Sequence, residues 1–289
     1  MNTLEICNLQ KNYPNGIKAI NNISLEIQNG MFGLLGPNGA GKSSLMKTIA
    51  GLQNADSGNI WFNGEDVLKD NTVIKKHLGF LPQDFGVYPK TSAYTLLDHL
   101  AILKGVNNKT GRKDQINELL NKVNLYNHRN REVHTFSGGM RQCFGVAQAL
   151  LGNPKIIIVD EPTAGLDPEE RNRLNLLLSE ISQDMIVILS THLVEDVKNL
   201  CSKMAIIRNG TLLCTGTPAQ LIKQIENKIW CKNVNPIEFQ EYKRNYGFIN
   251  YEFRQGKIRV NIFSEQQPDG FNPIPTTLEH VYFHQLDTP

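Results

Sequence analysis

No stretch of this 289-residue chain is both long and apolar. Runs such as Ile156–Val159 last only a few residues, against the ~20 that a helix needs to cross a bilayer. The opening Met1-Asn2-Thr3-Leu4-Glu5 lacks the basic and then apolar regions of a secretory signal, so the chain is expected to stay in the cytoplasm. Cysteine is sparse: the five, at 7, 143, 201, 214 and 231, never fall as Cys-x-x-Cys, which argues against a disulfide framework or a zinc ribbon. No sign of charge prevails either. A net charge of +2 is too weak to argue for a nucleic-acid partner. Low-complexity tracts and short-period repeats are missing, and nothing in the composition suggests disorder. What remains is an ordinary globular composition, 40% apolar, long enough for one large domain and a small one.

Residues 4–27 read as two alternating strands around a turn at Pro14-Asn15-Gly16. After a second turn, Asn29-Gly30, Met31–Leu35 reads as a buried strand, with Met31 and Phe32 in the sheet core. A glycine-rich loop and a helix at about 43–50 follow, and Asn63-Gly64 closes a hairpin containing Ile60-Trp61-Phe62. From about 91 to 152 the period turns helical: Leu96, Leu97, Leu100 and Leu103 share one face, with Thr91 or Ser92 as cap. Ile156–Val159, Met185–Leu189 and Met204–Ile207 read as short buried strands, with a helix at about 168–182 between the first two. Strands alternating with helices imply an α/β fold whose largely parallel sheet is covered on both faces. From about 226 the texture changes to strands at Lys228–Val234, Phe248–Arg254 and Lys257–Phe263, a helix near Pro236–Tyr246 and an amphipathic end, Leu278–Leu286. This predicts a large domain over 1–225, with a helical subdomain at about 85–152, and a small α+β appendage over 226–289.

The segment Gly36-Pro37-Asn38-Gly39-Ala40-Gly41-Lys42-Ser43 fits a P-loop, and it lies between a buried strand and a helix as a P-loop must. Its glycines let backbone N–H groups turn inward around phosphate oxygens, and the helix that follows adds its positive end. Lys42 can reach the β- and γ-phosphates of ATP, and the Ser43 hydroxyl can bind Mg²⁺, with Ser44 beside it. Ile156–Val159 ends in Asp160-Glu161-Pro162. Read alone, this could equally be a core strand entering a solvated turn. Paired with the P-loop, Asp160 stands at the C-terminal edge of the sheet, where it can hold Mg²⁺ through a water. Glu161 is then placed to deprotonate the attacking water.

Further segments resemble the ABC ATPase family. Phe136-Ser137-Gly138-Gly139-Met140 is similar to its signature sequence, with Phe136 and Met140 where Leu and Gln are common, and Cys143 where many relatives carry a basic residue. Gln83 resembles the Q-loop glutamine, His192 the switch histidine, Asp167 the D-loop aspartate, and Tyr13 the aromatic that stacks on adenine. Together these motifs cover roughly residues 1–220 in the family's order. The resemblance implies a P-loop NTPase core of mixed, largely parallel sheet with antiparallel β and helical subdomains. It implies ATP with Mg²⁺, bound by Ser43, Gln83 and Asp160, and a catalytic set of Glu161, His192 and Gln83. Ser137, Gly138 and Gly139 would meet the γ-phosphate of a partner, so that a homodimer or heterodimer sandwiches two ATP molecules. Met140 and the segments Met31–Leu35 and Asp84–Pro89 look most like ATPases of bacterial exporters, in which a separate transmembrane permease is the partner. The expected location is then the cytoplasmic side of the membrane, and Phe85 and Tyr88, in the segment Phe85–Tyr88 before the helix, are expected to form the docking groove. A soluble ABC ATPase acting on ribosomes or chromosomes is the alternative. It lacks support from a second cassette or a long inserted coiled coil.

Other residues read as structural. His280 and His284 are spaced for metal on one helix face, yet the flanking Val281, Tyr282 and Phe283 suggest a docked helix. Cys201 and Cys214 read as small core residues, and Arg171 and Arg173 as solvated.

Overall fold

The chain opens with an antiparallel hairpin, β1 (Thr3–Asn12) and β2 (Lys18–Gln28), then runs through β3 (Gly30–Leu35) into α1 (Lys42–Ile49). The structure is a computed structural model, and it describes residues 1–86, 89–236, 238–239, 242, 248–254 and 256–287. The short strands β4 (Ser57–Phe62) and β5 (Glu65–Asp66) join the hairpin in a four-stranded sheet, order β2-β1-β4-β5. A helix α2 (Thr72–His77) leads to β6 (Leu78–Leu81). Three helices follow: α3 (Ala93–Leu103), α4 (Lys109–Lys122) and α5 (Gly138–Leu150). Ser92, one of the two expected caps, accepts from the Thr95 N–H at 3.2 Å and starts α3.

The sheet is completed by β7 (Ile156–Asp160), β8 (Ile186–Thr191), β9 (Lys203–Arg208) and β10 (Thr211–Gly216), with α6 (Pro168–Ile181) and α7 (Val194–Leu200) between them. Its order is β10-β9-β3-β8-β7-β6; every pair is parallel except β10 with β9. Every residue of β7 and β8 is buried, as the apolar runs require of a sheet covered on both faces. Alternate residues of β3 divide the core. Phe32 and Leu34 face α1 and the antiparallel sheet, while Met31 and Leu35 face the helical side with Phe144 and Leu189.

Beyond α8 (Pro218–Gln224) a third sheet forms from β11 (Ile229–Val234), β12 (Phe248–Arg254), β13 (Lys257–Phe263) and β14 (Asn272–Pro273), order β12-β13-β11-β14. The helix expected near Pro236–Tyr246 falls largely outside the described residues. The closing helix, α9 (Leu278–Asp287), buries Leu278, Val281 and Tyr282 in the same core as α5 and β8, and Arg208 of β9 donates to the Leu286 carbonyl. Of the paired histidines, His280 is buried with its Nδ1 accepting from the Thr277 N–H at 3.1 Å, and His284 stacks on Phe263 at 4.2 Å. Both rings are engaged in docking the helix.

Candidate nucleotide site

A parallel sheet presents the C-terminal ends of its strands along one edge, and the loops leaving β3, β6, β7 and β8 converge there. The loop after β3 turns into α1 through Gly41, at φ +104°, a left-handed conformation that a side chain would strain. A Cβ there would also strike the Ala19 carbonyl. The resulting cleft, about 430 Å³, is lined by Tyr13, Ile17, Ala19, Asn38, Gly39, Ala40, Gly41, Lys42, Ser43, Ser44, Gln83 and Glu161. Gly36 and Pro37 sit just behind, their carbonyls accepting from Lys42 Nζ at 2.7 and 3.1 Å. Burial pushes the Lys42 ammonium below its ordinary value, opposed by the negative charges of Glu161 and Asp160.

The carboxylates end β7. Asp160 is buried, and its two oxygens accept from Ser43 Oγ at 3.0 Å and Ser190 Oγ at 2.8 Å. Glu161 adopts φ +48°, unusual for a side chain larger than glycine. Such a conformation costs about 1–3 kcal/mol and tends to mark functional positions. Its backbone N–H donates to the Ser190 carbonyl at 3.0 Å. The carboxylate lies 4.0 Å from Lys42 Nζ and 3.2 Å from Nδ1 of His192. The oxygens of Ser43, Asp160 and Gln83 form a hard donor set of the kind Mg²⁺ takes while keeping several waters, and the Ser43–Asp160 hydrogen bond already brings two of them together. Tyr13 is half-buried, with its hydroxyl donating to Gln53 Oε1 at 3.0 Å and sharing a hydrogen bond with Ser44 Oγ at 3.1 Å.

Ser137, Gly138 and Gly139 do not line this cleft. Ser137 caps α5, accepting from the Met140 N–H at 3.2 Å and donating to Glu170 Oε1 at 2.9 Å. The Glu170 carboxylate lies so close over Gly139 that a Cβ there would overlap it. Asp167 caps α6 and accepts from the Glu170 N–H at 2.8 Å. Ser137–Gly139 and the start of α6 thus stand side by side, and neither lines the cleft of the phosphate loop. Cys143 is buried on α5, and Cys201 is buried as expected, while Cys214 is half-buried.

Two readings need correction. Arg171 is half-buried rather than freely solvated: its Nε and Nη2 donate to Asp196 Oδ1 at 3.0 and 2.6 Å, and Asp196 is wholly buried. Arg173 does face solvent. Phe85 is half-buried against Gly145 of α5 rather than exposed, while Val87 and Tyr88 lie outside the described residues. Among the exposed apolar side chains are Leu52 and, at the end of α3, Leu103, at 60% and 82% exposure. They flank a groove of about 350 Å³ floored by Ala50, Leu78 and Phe80. The leucine face of α3 runs past its packing partners, so Leu103 opens onto this groove while Leu96 and Leu97 are buried. Sequence reasoning also missed Ser190, Thr163, Thr191, Glu170 and Asp196. Asp196, four residues after His192 in the first turn of α7, and Glu170 in the first turn of α6 carried only a weak signal, an acidic residue at a helix start.

A phosphate loop after the first strand of a β9-β3-β8-β7-β6 sheet, with paired Asp-Glu at the end of β7, defines a P-loop nucleotide hydrolase. Residues 20–164 match the family model described as ABC transporter. The linearmycin resistance ATP-binding protein LnrL of Bacillus subtilis (strain 168) is 35% identical over 77% of this chain and 71% of its own length. The sulfate/thiosulfate import ATP-binding protein CysA of Pseudomonas syringae pv. tomato is 33% identical over 78% of this chain and 70% of its own. ABC transporter A family member 8 of Dictyostelium discoideum is 37% identical over 71% of this chain, which spans only 24% of that protein's length. A dimeric ATP-binding cassette in a post-hydrolysis state bound to ADP and Pi superposes with TM-score 0.67, at 25% identity, over 74% of this chain and 98% of that one. This chain belongs to the ABC transporter family and has the fold of its ATPase cassettes. Among the described residues no helix is long and apolar enough to cross a membrane.

Proposed function

We propose that this chain binds and hydrolyses ATP at sites shared between two cassettes, and that closure of the pair drives export through a separate transmembrane subunit. The observation that carries the reading is the division of the motifs. The phosphate loop, Asp160, Glu161 and His192 gather at one cleft, whereas Ser137–Gly139 do not line it and are free to serve a neighbour's nucleotide. Tyr13 takes the adenine. The backbone N–H groups of Asn38, Gly39 and Gly41 and the Lys42 ammonium take the β- and γ-phosphates. Ser43 and Gln83 directly, and Asp160 through water, would hold Mg²⁺, which when bound neutralises the phosphate oxygens. Glu161, oriented by His192, accepts a proton from the attacking water. The water oxygen bonds to the γ-phosphorus as the bond to the bridging oxygen breaks, releasing ADP and phosphate.

Export rests on the resemblance of Met140 and its companion segments to exporter ATPases and on the resistance role in the name of LnrL. The groove between Leu52 and Leu103, between the end of α1 and the last turn of α3, suits a short apolar helix from the membrane partner. Glu161→Gln tests the chemistry. Equilibrium ATP binding should stay within a few-fold of wild type while steady-state hydrolysis falls ~10²–10⁴-fold, and an ATP-bound dimer should accumulate on size exclusion. Near-wild-type turnover would overturn the assignment.

A further inference from the structure

The side chain of Asp196 is wholly buried and, among the described residues, hydrogen-bonds to none that lines the nucleotide cleft, yet its side-chain donors come from segments next to the proposed catalytic groups. One oxygen accepts twice from Arg171, the first-turn arginine of α6, at 3.0 and 2.6 Å. The other accepts from Thr163 Oγ1 at 2.8 Å and from Thr191 Oγ1 at 3.2 Å. Thr163 lies two residues after Glu161, and Thr191 immediately precedes His192. Arg171 in turn closes the first turn of α6, its N–H donating to the carbonyl of Asp167 at 2.9 Å. A buried carboxylate is tolerated when its oxygens are filled by charge-assisted and hydroxyl donors, and the arginine here offers two parallel N–H groups.

We propose that Asp196 is a positioning residue for hydrolysis, a buried post to which the Glu161 loop, the His192 strand end and the D-loop helix are all tied. The inference rests on the ATPase reading above. Glu161 and His192 approach to 3.2 Å although they come from different strands, and Glu161 holds a left-handed backbone. That geometry persists only where the surroundings fix both segments, and the threonine hydroxyls on Asp196 do so within two residues of each. Loosening the post leaves the phosphate loop untouched, because none of its residues meets Asp196. Ground-state binding therefore survives and alignment in the transition state is lost.

The test compares Asp196→Asn, which keeps the shape but removes the charge, with Arg171→Gln and with the pair. Each is assayed for kcat, for KM, for ATP binding at equilibrium, and for trapping of ADP with aluminium fluoride as a transition-state mimic. Each single variant should lose at least tenfold in kcat and in trapping, with KM and ATP affinity within about twofold. The pair should lose no more than the worse single variant, because the residues act as one unit. A merely structural role would lower the melting temperature without separating trapping from ATP affinity. Wild-type kcat in folded Asp196→Asn, or a rise in KM at unchanged kcat, overturns the proposal. Should Asp196→Asn fail to fold, Arg171→Gln and Thr163→Val carry the same criteria. Wild-type protein without ATPase activity would instead remove the ATPase reading on which the proposal stands.

Discussion

At the scale of single residues, neighbours in sequence were legible and partners distant in sequence were not. Gly36–Ser43 and Asp160-Glu161 could be assigned to one phosphate site because each motif is contiguous and each follows an apolar run that ends at the sheet edge. Asp196 was not legible, since a carboxylate in the first turn of a helix ordinarily faces water. Only the fold brings Arg171, Thr163 and Thr191 around it. Tyr13 lies between these cases. Sequence left it either an adenine platform or a strand-edge aromatic, and its hydroxyl bonds to Ser44 and Gln53 place the ring on the wall of the cleft. An aromatic stack is worth about 0.5–1.5 kcal/mol. Tyr13→Ala should consequently weaken ATP about three- to tenfold by titration calorimetry while leaving inorganic tripolyphosphate unaffected. Equal losses for both ligands would return Tyr13 to a purely structural role.

At the scale of elements, the periodicity of strands and helices emerged within a residue or two, as at β7, β8 and α6. What periodicity cannot show is how far the neighbours of a helix extend. The leucine stripe of α3 is core at Leu96 and Leu97 and bare at Leu103. Phe85 reads as a loop aromatic, yet it lies against Gly145, which only the packing of α5 could reveal. Helix α9 illustrates the converse, a polar residue drawn inward by its capping bond. Burial pushes the His280 imidazole below its ordinary value, and burial lowers His284 and His77 likewise. The folded chain keeps these rings neutral under conditions where the unfolded chain binds protons. Their contribution is therefore present above the ordinary histidine value near 6.5 and is lost as pH falls through the lower folded values. The melting temperature should drop between pH 7.5 and 5.5, and His280→Gln, which can still accept from Thr277, should shallow that slope without abolishing it. An unchanged slope would exclude His280 as a contributor.

At the scale of the whole molecule, two faces lie outside the nucleotide cleft: the signature face and the groove between Leu52 and Leu103. The groove bears on transport. Leu52→Asp with Leu103→Asp removes two exposed leucines, so the folded subunit should melt and bind ATP as wild type does. In cells containing its membrane partner, it should move from the membrane to the soluble fraction. Retention on membranes would place the docking site elsewhere, and sedimentation of the wild type with ribosomes would favour the alternative function. The signature face has a consequence for inheritance. If each nucleotide is finished by a neighbour's Ser137–Gly139, as proposed above, a defective chain would not fail alone. In a heterozygous or mixed population, a Glu161→Gln chain would then still capture ATP and still recruit a healthy companion. Damage of that kind would be dominant, whereas loss of the whole chain would be recessive.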